Sequence, residues 1–301
     1  MKNFSSILIL AGLLGAVNVT PVNAATRWVT LGTDTNTAGE LRKEIHLASS
    51  GDTIKIAGTV TLIELNSEIH FIKDLTIEAQ MTTQIRPKTA HAHRVFRKWG
   101  GSGTLFLKKL EITNSVDGAV KISSGSLDVF ACEFENNISS SKGGAIDASV
   151  DVVVHGSSFK NNQADDGGGA IAVNGADLTL NFSNFSDNSA LDSFGGGGLG
   201  GAVFVYNGTS MVTDVLYGSF SNNEAISGGA LFVDGAAANI QYSTFSGNRA
   251  QESGGAVSTN TDDATVEDTH FSNNRVEATL PGMSSHAGGG MYFNGASGRL
   301  H

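Results

Sequence analysis

Short stretches of the chain alternate between apolar and polar positions, and this alternation recurs many times. Leu127-x-Val129, Val152-x-Val154 and Leu178-x-Leu180-x-Phe182 each follow a period of two, and Gly, Asn, Ser and Asp residues flank them. Runs of about 3 to 5 residues between turn residues predict short strands, because helices need apolar residues every three to four positions. The pattern therefore predicts an all-β protein.

Two motifs interleave over most of this region. Gly-Gly-Ala-aliphatic begins at Gly143, Gly168, Gly200, Gly228 and Gly254, and Gly288 begins a Gly-Gly-Gly-Met variant. Phe-x-x-Asn occurs at Phe134/Asn137, Phe159/Asn162, Phe185/Asn188, Phe220/Asn223, Phe245/Asn248 and Phe271/Asn274. Most repeats are 25 or 26 residues long (159 − 134 = 25). Such a period predicts a solenoid, and about 25 residues fit three short strands and three corners. Stacking these coils gives a parallel β-helix, with about 4.8 Å between coils.

Alignment of the coils on the motif phenylalanine reveals columns of similar residues. The column five positions earlier is aliphatic (Val129, Val154, Leu180, Val215, Ile240, Val266), and the column two positions earlier is small (Cys132, Ser157, Ser183, Gly218, Ser243, Thr269). We expect the aliphatic and Phe columns to face inward. The Asn column suits a corner in the left-handed conformation, where its amides could hydrogen-bond along the stack. The Gly-Gly pair permits positive φ and close approach of coils.

The N-terminal region divides into a targeting segment and a cap. Residues 1–24 contain Lys2, an apolar run over 7–17 and a small-residue cleavage site at 22–24, and these features predict a signal peptide. Residues 25–52 are interpreted as a cap, because the open end of a β-helix exposes unpaired backbone. Within the cap, Thr37-x-x-Glu40 has the spacing of a capping box and predicts a helix over 37–50. Residues 53–301 are assigned to the β-helix, with early strands predicted at 60–62, 69–71, 75–77, 105–107, 110–112 and 120–122.

The charges, the single cysteine and the histidines limit the partners and reactive groups that the chain could have. The formal net charge is −10, which argues against a nucleic-acid partner. The single cysteine, Cys132, lies in the small column and is interpreted as a packed thiol. Basic side chains concentrate between 86 and 98, and two interpretations of this segment stay open: a solvated loop, or a contact for an anion or glycan. His91-x-His93 lacks a visible third ligand, so neither a metal nor another cofactor is predicted.

The opening of the chain and its repeats together resemble a known family. Leu41-Arg42-x-x-Ile45, followed by Gly51-Asp52-Thr53-Ile54, is similar to the start of many exported bacterial β-helix proteins. The alternating Gly-Gly-Ala-aliphatic and Phe-x-x-Asn motifs resemble the polymorphic outer membrane protein family, known best from chlamydiae. The resemblance implies a right-handed parallel β-helix of the pectin-lyase-like type. It also implies an exported, autotransporter-like passenger on the cell surface, and several members of that family are adhesins. The chain ends within a coil, which indicates either a fragment of a longer protein or a secreted protein with a frayed end. We expect the truncated fragment, whose membrane association would depend on a missing C-terminal anchor.

Three functions remain open on the sequence. The first is adhesion to a host-cell or matrix surface protein or a glycan. It would use two long corners of the coil, at 189–199 and 275–287, because solenoids often place insertions on the binding face. The candidate binding residues there are Leu191, Phe194, Leu280, Pro281, Met283 and His286. The second is a polysaccharide lyase or glycoside hydrolase, and the third is a structural surface coat. Glycan cleavage needs paired carboxylates at a fixed separation, or carboxylate-bound Ca²⁺ beside a basic residue. The enzyme is disfavoured because no aligned column stacks Asp, Arg and His on adjacent coils.

Overall fold

The chain folds into a parallel β-solenoid of about nine turns with almost no helix. The structure is a computed structural model, and it describes residues 24–90, 92–191, 197–208, 211–261, 263–277, 288–294 and 298–300. All of its paired strands run parallel, and each strand pairs with its equivalent in the neighbouring coil. The predicted parallel β-helix is therefore confirmed. The predicted signal peptide lies outside the described residues, apart from its last residue.

A typical coil contains four strands, which form four walls of the solenoid. Wall 1 is a nine-stranded sheet comprising Ile69–Phe71, Phe96–Lys98, Val120–Ile122, Ile146–Ala148, Ile171–Asn174, Val203–Tyr206, Leu231–Asp234, Val257–Asn260 and Met291–Phe293. Wall 4 is a six-stranded sheet comprising Ile138–Ser139, Gln163–Ala164, Ser189–Ala190, Glu224–Ser227, Arg249–Ser253 and Arg275–Val276.

Walls 2 and 3 together form an 18-stranded sheet, because two long strands, Thr76–Pro87 and Thr104–Thr113, run through both walls. The other strands of wall 2 are Thr26–Val29, Thr53–Ile56, Ser126–Phe130, Val152–His155, Leu178–Asn181, Val212–Leu216, Ala237–Gln241, Ala264–Glu267 and Gly298–Leu300. The other strands of wall 3 are Leu62–Leu65, Glu133–Glu135, Ser158–Lys160, Asn184–Ser186, Ser219–Ser221, Thr244–Ser246 and His270–Ser272.

The predicted number of strands per coil was too low. Wall 4 was missed because most of its strands are only two to four residues long and contribute one inward side chain, such as Ala164 or Ala190. The strand predicted at 60–62 lies later, at Leu62–Leu65. Thr26–Val29 pairs in parallel with Thr53–Ile56, so the sheet begins inside the segment that was assigned to the cap.

The Gly-Gly pairs occupy the corner that leads into wall 1. The first glycine of the pair has positive φ, as at Gly143 (63°) and Gly168 (61°). The second lies against the next coil: a Cβ added to Gly144 would lie 2.2 Å from the carbonyl oxygen of Gly169. The first position therefore requires left-handed backbone and the second requires the absence of a side chain, as predicted.

The motif phenylalanines stack along the inside of wall 3. Phe134, Phe159, Phe185, Phe220 and Phe245 are fully buried, and Phe271 is partly buried and packs against the core. Neighbouring rings lie nearly parallel, with centroids 4.6 to 5.1 Å apart. The aliphatic column five positions earlier is also buried. Both inward columns are therefore confirmed.

The motif asparagines form a continuous hydrogen-bonded ladder inside the next corner. The Asn188 Nδ2 donates to the Phe159 carbonyl (3.0 Å) and to Asn223 Oδ1 (2.9 Å). The Oδ1 of Asn188 accepts from both the backbone N–H (3.0 Å) and the Nδ2 (3.0 Å) of Asn162. This pattern continues from Asn137 to Asn274, through Asn162, Asn188, Asn223 and Asn248.

The predicted left-handed conformation of this column was wrong by one position. Positive φ occurs at the residue before each ladder asparagine: Asn136, Asn161, Asp187, Asn222, Gly247 and Asn273. That residue makes the turn, and the turn aims the following asparagine side chain inward. The column is therefore a set of buried hydrogen-bonding groups, each of which would be costly to leave unpaired.

A short helix covers the first coil, but it is shorter than predicted. It spans Leu41–Leu47 instead of 37–50, and it buries Leu41 and Ile45 against the solenoid. Glu40 precedes the helix, and no side chain caps the helix N-terminus. The Thr37 backbone N–H does donate to Glu40 Oε2 (2.8 Å), as in a capping box, but this contact closes a turn before the helix.

The fully buried Glu40 carboxylate organises the loop before this helix. Its oxygens accept hydrogen bonds from the hydroxyls of Thr33 (2.5 Å) and Thr35 (2.9 Å), and from the backbone N–H groups of Thr35 and Thr37. Burial raises the pKa of this carboxyl group, but the hydrogen bonds from Thr33, Thr37 and Thr35 outweigh burial and lower the pKa from 4.5 to about 2.

In the described part of the chain, no helix is long and apolar enough to cross a membrane.

We expect Glu40→Gln to destabilise the protein above about pH 5 and to matter progressively less as the pH falls. A lowered pKa in the folded state stabilises it above the ordinary pKa of 4.5, and this contribution is lost as the pH falls towards 2. Urea unfolding of both proteins between pH 7 and pH 2.5 tests this. Glu133→Gln, at an exposed wall 3 position, is the control and should follow the wild type. A difference between Glu40→Gln and wild type that does not change with pH would contradict the expectation.

Candidate functional site

The motif residues themselves are structural. Phe134, Phe159, Phe185, Phe220 and Phe245 and their partner asparagines are buried, and Phe271 and Asn274 are partly buried at the last described corner. Their polar groups are used within the ladder. A binding surface must therefore come from side chains that point outward from the walls and corners.

Only one of the six predicted binding residues, Leu191, lies within the described part of the chain. Phe194, Leu280, Pro281, Met283 and His286 lie outside the described residues, so binding through the long corners stays a prediction. Leu191 is half-buried and directly follows the wall 4 strand Ser189–Ala190. The segments Glu224–Ser227 and Arg249–Ser253 form wall 4 strands, and Arg249 contacts Glu224 at 2.9 Å.

An exposed row of aromatic rings follows the corner between walls 2 and 3. We call these five residues the aromatic strip: Phe130, His155, Phe182, Tyr217 and Tyr242. The Phe and Tyr side chains are 45 to 54% exposed. The strip crosses five successive coils and extends about 19 Å at the usual spacing of about 4.8 Å. Large side chains that remain about half-exposed in a continuous row commonly mark contact surfaces.

The strip rings contact one another mainly face to face. Phe130 and His155 stack with centroids 5.3 Å apart, and Phe182, Tyr217 and Tyr242 stack at 4.7 and 5.2 Å. His155 meets Phe182 edge to face, at 5.5 Å. Because the rings in the three stacked pairs cover each other's faces, the strip presents mainly ring edges and tyrosine hydroxyls to a partner. Beside Phe130 lies a depression of about 410 Å³, lined in part by Phe106, Lys108 and Val153.

Three strip residues adopt a backbone conformation that bulky side chains rarely adopt. Phe182, Tyr217 and Tyr242 have φ values of 51°, 53° and 50°. In other coils the same turn position holds Lys109 (55°), Ala131 (51°), Gly156 (56°) and Asp268 (45°), so the turn does not require an aromatic residue. Left-handed backbone costs a non-glycine residue about 1–3 kcal/mol and persists where the surroundings or the function require it. The sequence contained a signal for the strip: in three successive coils, an aromatic residue stands three positions before the motif Phe.

The basic segment 86–98 does not form one solvated loop. Arg86 lies in a wall 3 strand and pairs with Glu64 at 2.9 Å. Lys98 is fully buried, where its ammonium contacts Asp74 (3.2 Å) and backbone carbonyls. Arg97 projects outward from wall 1 and is exposed, whereas His91 lies outside the described residues.

The aligned columns, which begin at the Phe134 coil, did not include a row of charged side chains on the earlier coils of wall 1. His70, Arg97, Lys121 and Asp147 occupy equivalent outward positions of wall 1 in four successive coils. Lys121 and Asp147 form an ion pair at 2.6 Å. The row was missed because the alignment began at Phe134, after the first three of these residues.

The cysteine thiol and the possible metal ligands among the described residues form neither a reactive nor a metal-binding arrangement. Cys132 is buried, and burial raises the pKa of its thiol to about 12, so the predicted packed thiol is confirmed. Among the described residues, no three His, Cys, Asp or Glu side chains cluster closely enough to hold a metal ion.

Comparison with known families supports the resemblance given by the motifs. Residues 131–149, 156–174 and 242–260 each match the Chlamydia polymorphic membrane protein repeat. The chain therefore contains repeats of this type, and the repeat suggests an outer-membrane or surface protein. No curated protein sequence matches the chain.

Solved structures similar to this one include the PL6 family alginate lyase AlyGC and a mutant of the same enzyme. The mutant is 19% identical with a TM-score of 0.54, and the other structure is 16% identical with a TM-score of 0.52. Each match covers 93% of this chain but only 40% of the lyase chain. At this identity the similarity shows a shared pectin-lyase-like fold.

We expect Tyr217→Gly to leave thermal stability nearly unchanged. Loss of ring stacking costs about 0.5–1.5 kcal/mol, whereas glycine relieves a left-handed strain of similar size. Phe220→Ala, three residues later, is the contrasting variant and should lower the melting temperature clearly, since truncating a buried Phe costs about 3–5 kcal/mol. Thermal unfolding followed by circular dichroism measures both. A loss for Tyr217→Gly as large as that for Phe220→Ala would show that the strip serves folding.

Proposed function

We propose that the chain is a surface-displayed binding protein of the adhesion type, and that it contacts a protein on a host-cell or matrix surface through the aromatic strip. The observation that supports this most directly is the conformation of Phe182, Tyr217 and Tyr242. These exposed rings occupy left-handed positions at which the other coils have Lys109, Ala131, Gly156 and Asp268, none of them aromatic. An aromatic residue there adds strain that the turn does not require, which favours a role outside folding.

A protein partner suits the way in which the rings are presented. The ring faces cover one another, so a partner meets edges and, at Tyr217 and Tyr242, hydroxyl groups. Ring edges favour edge-to-face contacts with a partner's aromatic residues, and the hydroxyls can exchange hydrogen bonds. Tyr and Phe are also enriched at protein–protein interfaces, where a few large side chains supply most of the binding energy.

The repeat supports the cellular location within this proposal. Polymorphic membrane protein repeats suggest a surface protein, and a rigid solenoid would hold the strip along one outer corner. Export would use the predicted signal peptide at 1–24. The proposed contact surface is the aromatic strip. The long corners at 189–199 and 275–287 remain a second predicted contact region.

The test compares binding of the labelled full chain to confluent epithelial cells and to a reconstituted extracellular matrix. The strip variant carries Phe182→Gly, Tyr217→Gly and Tyr242→Gly. The control carries Lys160→Ala, Asn184→Ala and Thr244→Ala, three exposed wall 3 positions. We expect the strip variant to lose at least about tenfold in apparent affinity, equivalent to about 1.4 kcal/mol, while the control retains binding.

Two results would contradict the proposal. One is equal binding by the strip variant and the wild type, which would make the rings irrelevant to adhesion. The other is wild-type binding at background level on both surfaces. Circular dichroism of the strip variant must show an intact fold, so that lost binding reports on the surface.

A further inference from the structure

A groove beside the capping helix has a composition that differs from the rest of this acidic protein. Six side chains define what we call the N-terminal groove: Lys43, His46, His70, Lys73, Arg97 and Trp99. They line two adjoining depressions of about 450 and 580 Å³, which share His70 and Trp99. The helix Leu41–Leu47 contributes Lys43 and His46, and the first two strands of wall 1 contribute His70 and Arg97.

The carboxylates near this groove are already paired with other cations. Asp34 pairs with Arg42 at 2.6 Å, Glu68 pairs with Arg94 at 3.6 Å, and Asp74 pairs with the buried Lys98 at 3.2 Å.

The groove cations, by contrast, form no ion pair with any carboxylate in the part of the chain that the structure describes. Within the described ranges, Lys43, Lys73 and Arg97 form no ion pair. Lys73 donates to the carbonyls of Ile45 (3.1 Å) and His46 (2.6 Å), so its position is fixed by the end of the helix. The groove therefore concentrates positive charge on a chain whose net charge is −10.

The aromatic wall of the groove differs from the aromatic strip. Trp99 is 60% exposed and stacks on no other described ring, and Ile72, another lining residue, is 52% exposed. An uncovered indole face is a flat apolar platform, on which the C–H face of a pyranose ring can pack. Cations around such a platform can bind carboxylate or sulfate groups through charge-assisted hydrogen bonds.

We propose that the N-terminal groove binds an acidic glycan, with one sugar ring on Trp99 and its carboxylate or sulfate groups on Arg97, Lys43 and Lys73. The number of cations argues against an anionic membrane, because segments that bind anionic lipids usually contain four to eight Lys or Arg residues. Four lysines and arginines line the two depressions, and Arg42 is paired with Asp34, which leaves Lys43, Lys73 and Arg97 for an anionic ligand. This site is separate from the aromatic strip, so it is independent of the proposed adhesion function.

The experiment measures binding of the full chain to heparin, which is sulfated, and to polygalacturonate, which is carboxylated, at low and physiological salt. Dextran is the neutral control, and vesicles containing phosphatidylserine test the membrane alternative. We expect binding to at least one acidic glycan, weakened by salt, and none to dextran or to the vesicles. The preferred glycan then identifies the anionic group.

Two groove variants and one matched control localise the site. Lys43→Ala with Arg97→Ala, and separately Trp99→Ala, should each weaken glycan binding at least about tenfold. Lys88→Ala with Lys160→Ala removes the same charge from exposed positions outside the groove and should stay within about twofold of the wild type. The strip variant should also bind the glycan normally, which separates this site from the adhesion surface.

Four results would overturn the proposal. The first is no binding of the wild type to either acidic glycan at low salt. The second is an equal loss in the matched control, which would indicate a diffuse electrostatic effect. The third is binding to the vesicles without binding to the glycans. The fourth is recovery of glycan with unsaturated ends, because cleavage would make the groove part of an active site.

Discussion

Pairing of buried backbone groups at the corners is the constraint on which this solenoid depends. Strands pair coil to coil along the walls, but each corner turns polar backbone groups inward, where an unpaired group costs about 1–3 kcal/mol. The asparagine ladder meets this requirement after wall 3. At Asn162, the side-chain amide donates to Phe134 in the preceding coil and to Asn188 in the next, and its oxygen accepts two bonds from Asn137. Each amide thus joins three coils, and the adjacent phenylalanine stack fills the space beside it.

This internal arrangement frees the outside of the solenoid for other roles. The Phe, Asn and Gly-Gly positions supply packing, corner hydrogen bonds and close coil approach, and they do so without a disulfide, since Cys132 has no cysteine partner. The outward positions are less constrained, so their residues vary from coil to coil. The aromatic strip and the N-terminal groove are both built from such positions. The same repeat can therefore carry an aromatic surface at one place on the solenoid and a basic groove at another.

Features that recur in every coil could be predicted from the sequence, whereas features that occur only once could not. The inward Phe and aliphatic columns and both glycine roles were visible, because each recurs with the period of the coil. The left-handed turn was misplaced by one residue, since Asn161 and Asn162 are equally suited to turns and only the fold shows which points inward. The helix was predicted too long because Thr37 and Glu40 pair within a turn before it. The groove has no periodic signal, since its residues come from a helix and separate coils.

The most direct test of the corner constraint is the free energy of unfolding of Asn188→Ala, measured by urea denaturation. This change removes the acceptor for two Asn162 donors and the donor for the Phe159 carbonyl, all buried. The expected loss is at least about 3 kcal/mol. Asn184→Ala, at an exposed position four residues earlier, should change stability by no more than about 0.5 kcal/mol. If both variants unfold at the same urea concentration as the wild type, the ladder does not hold the coils together.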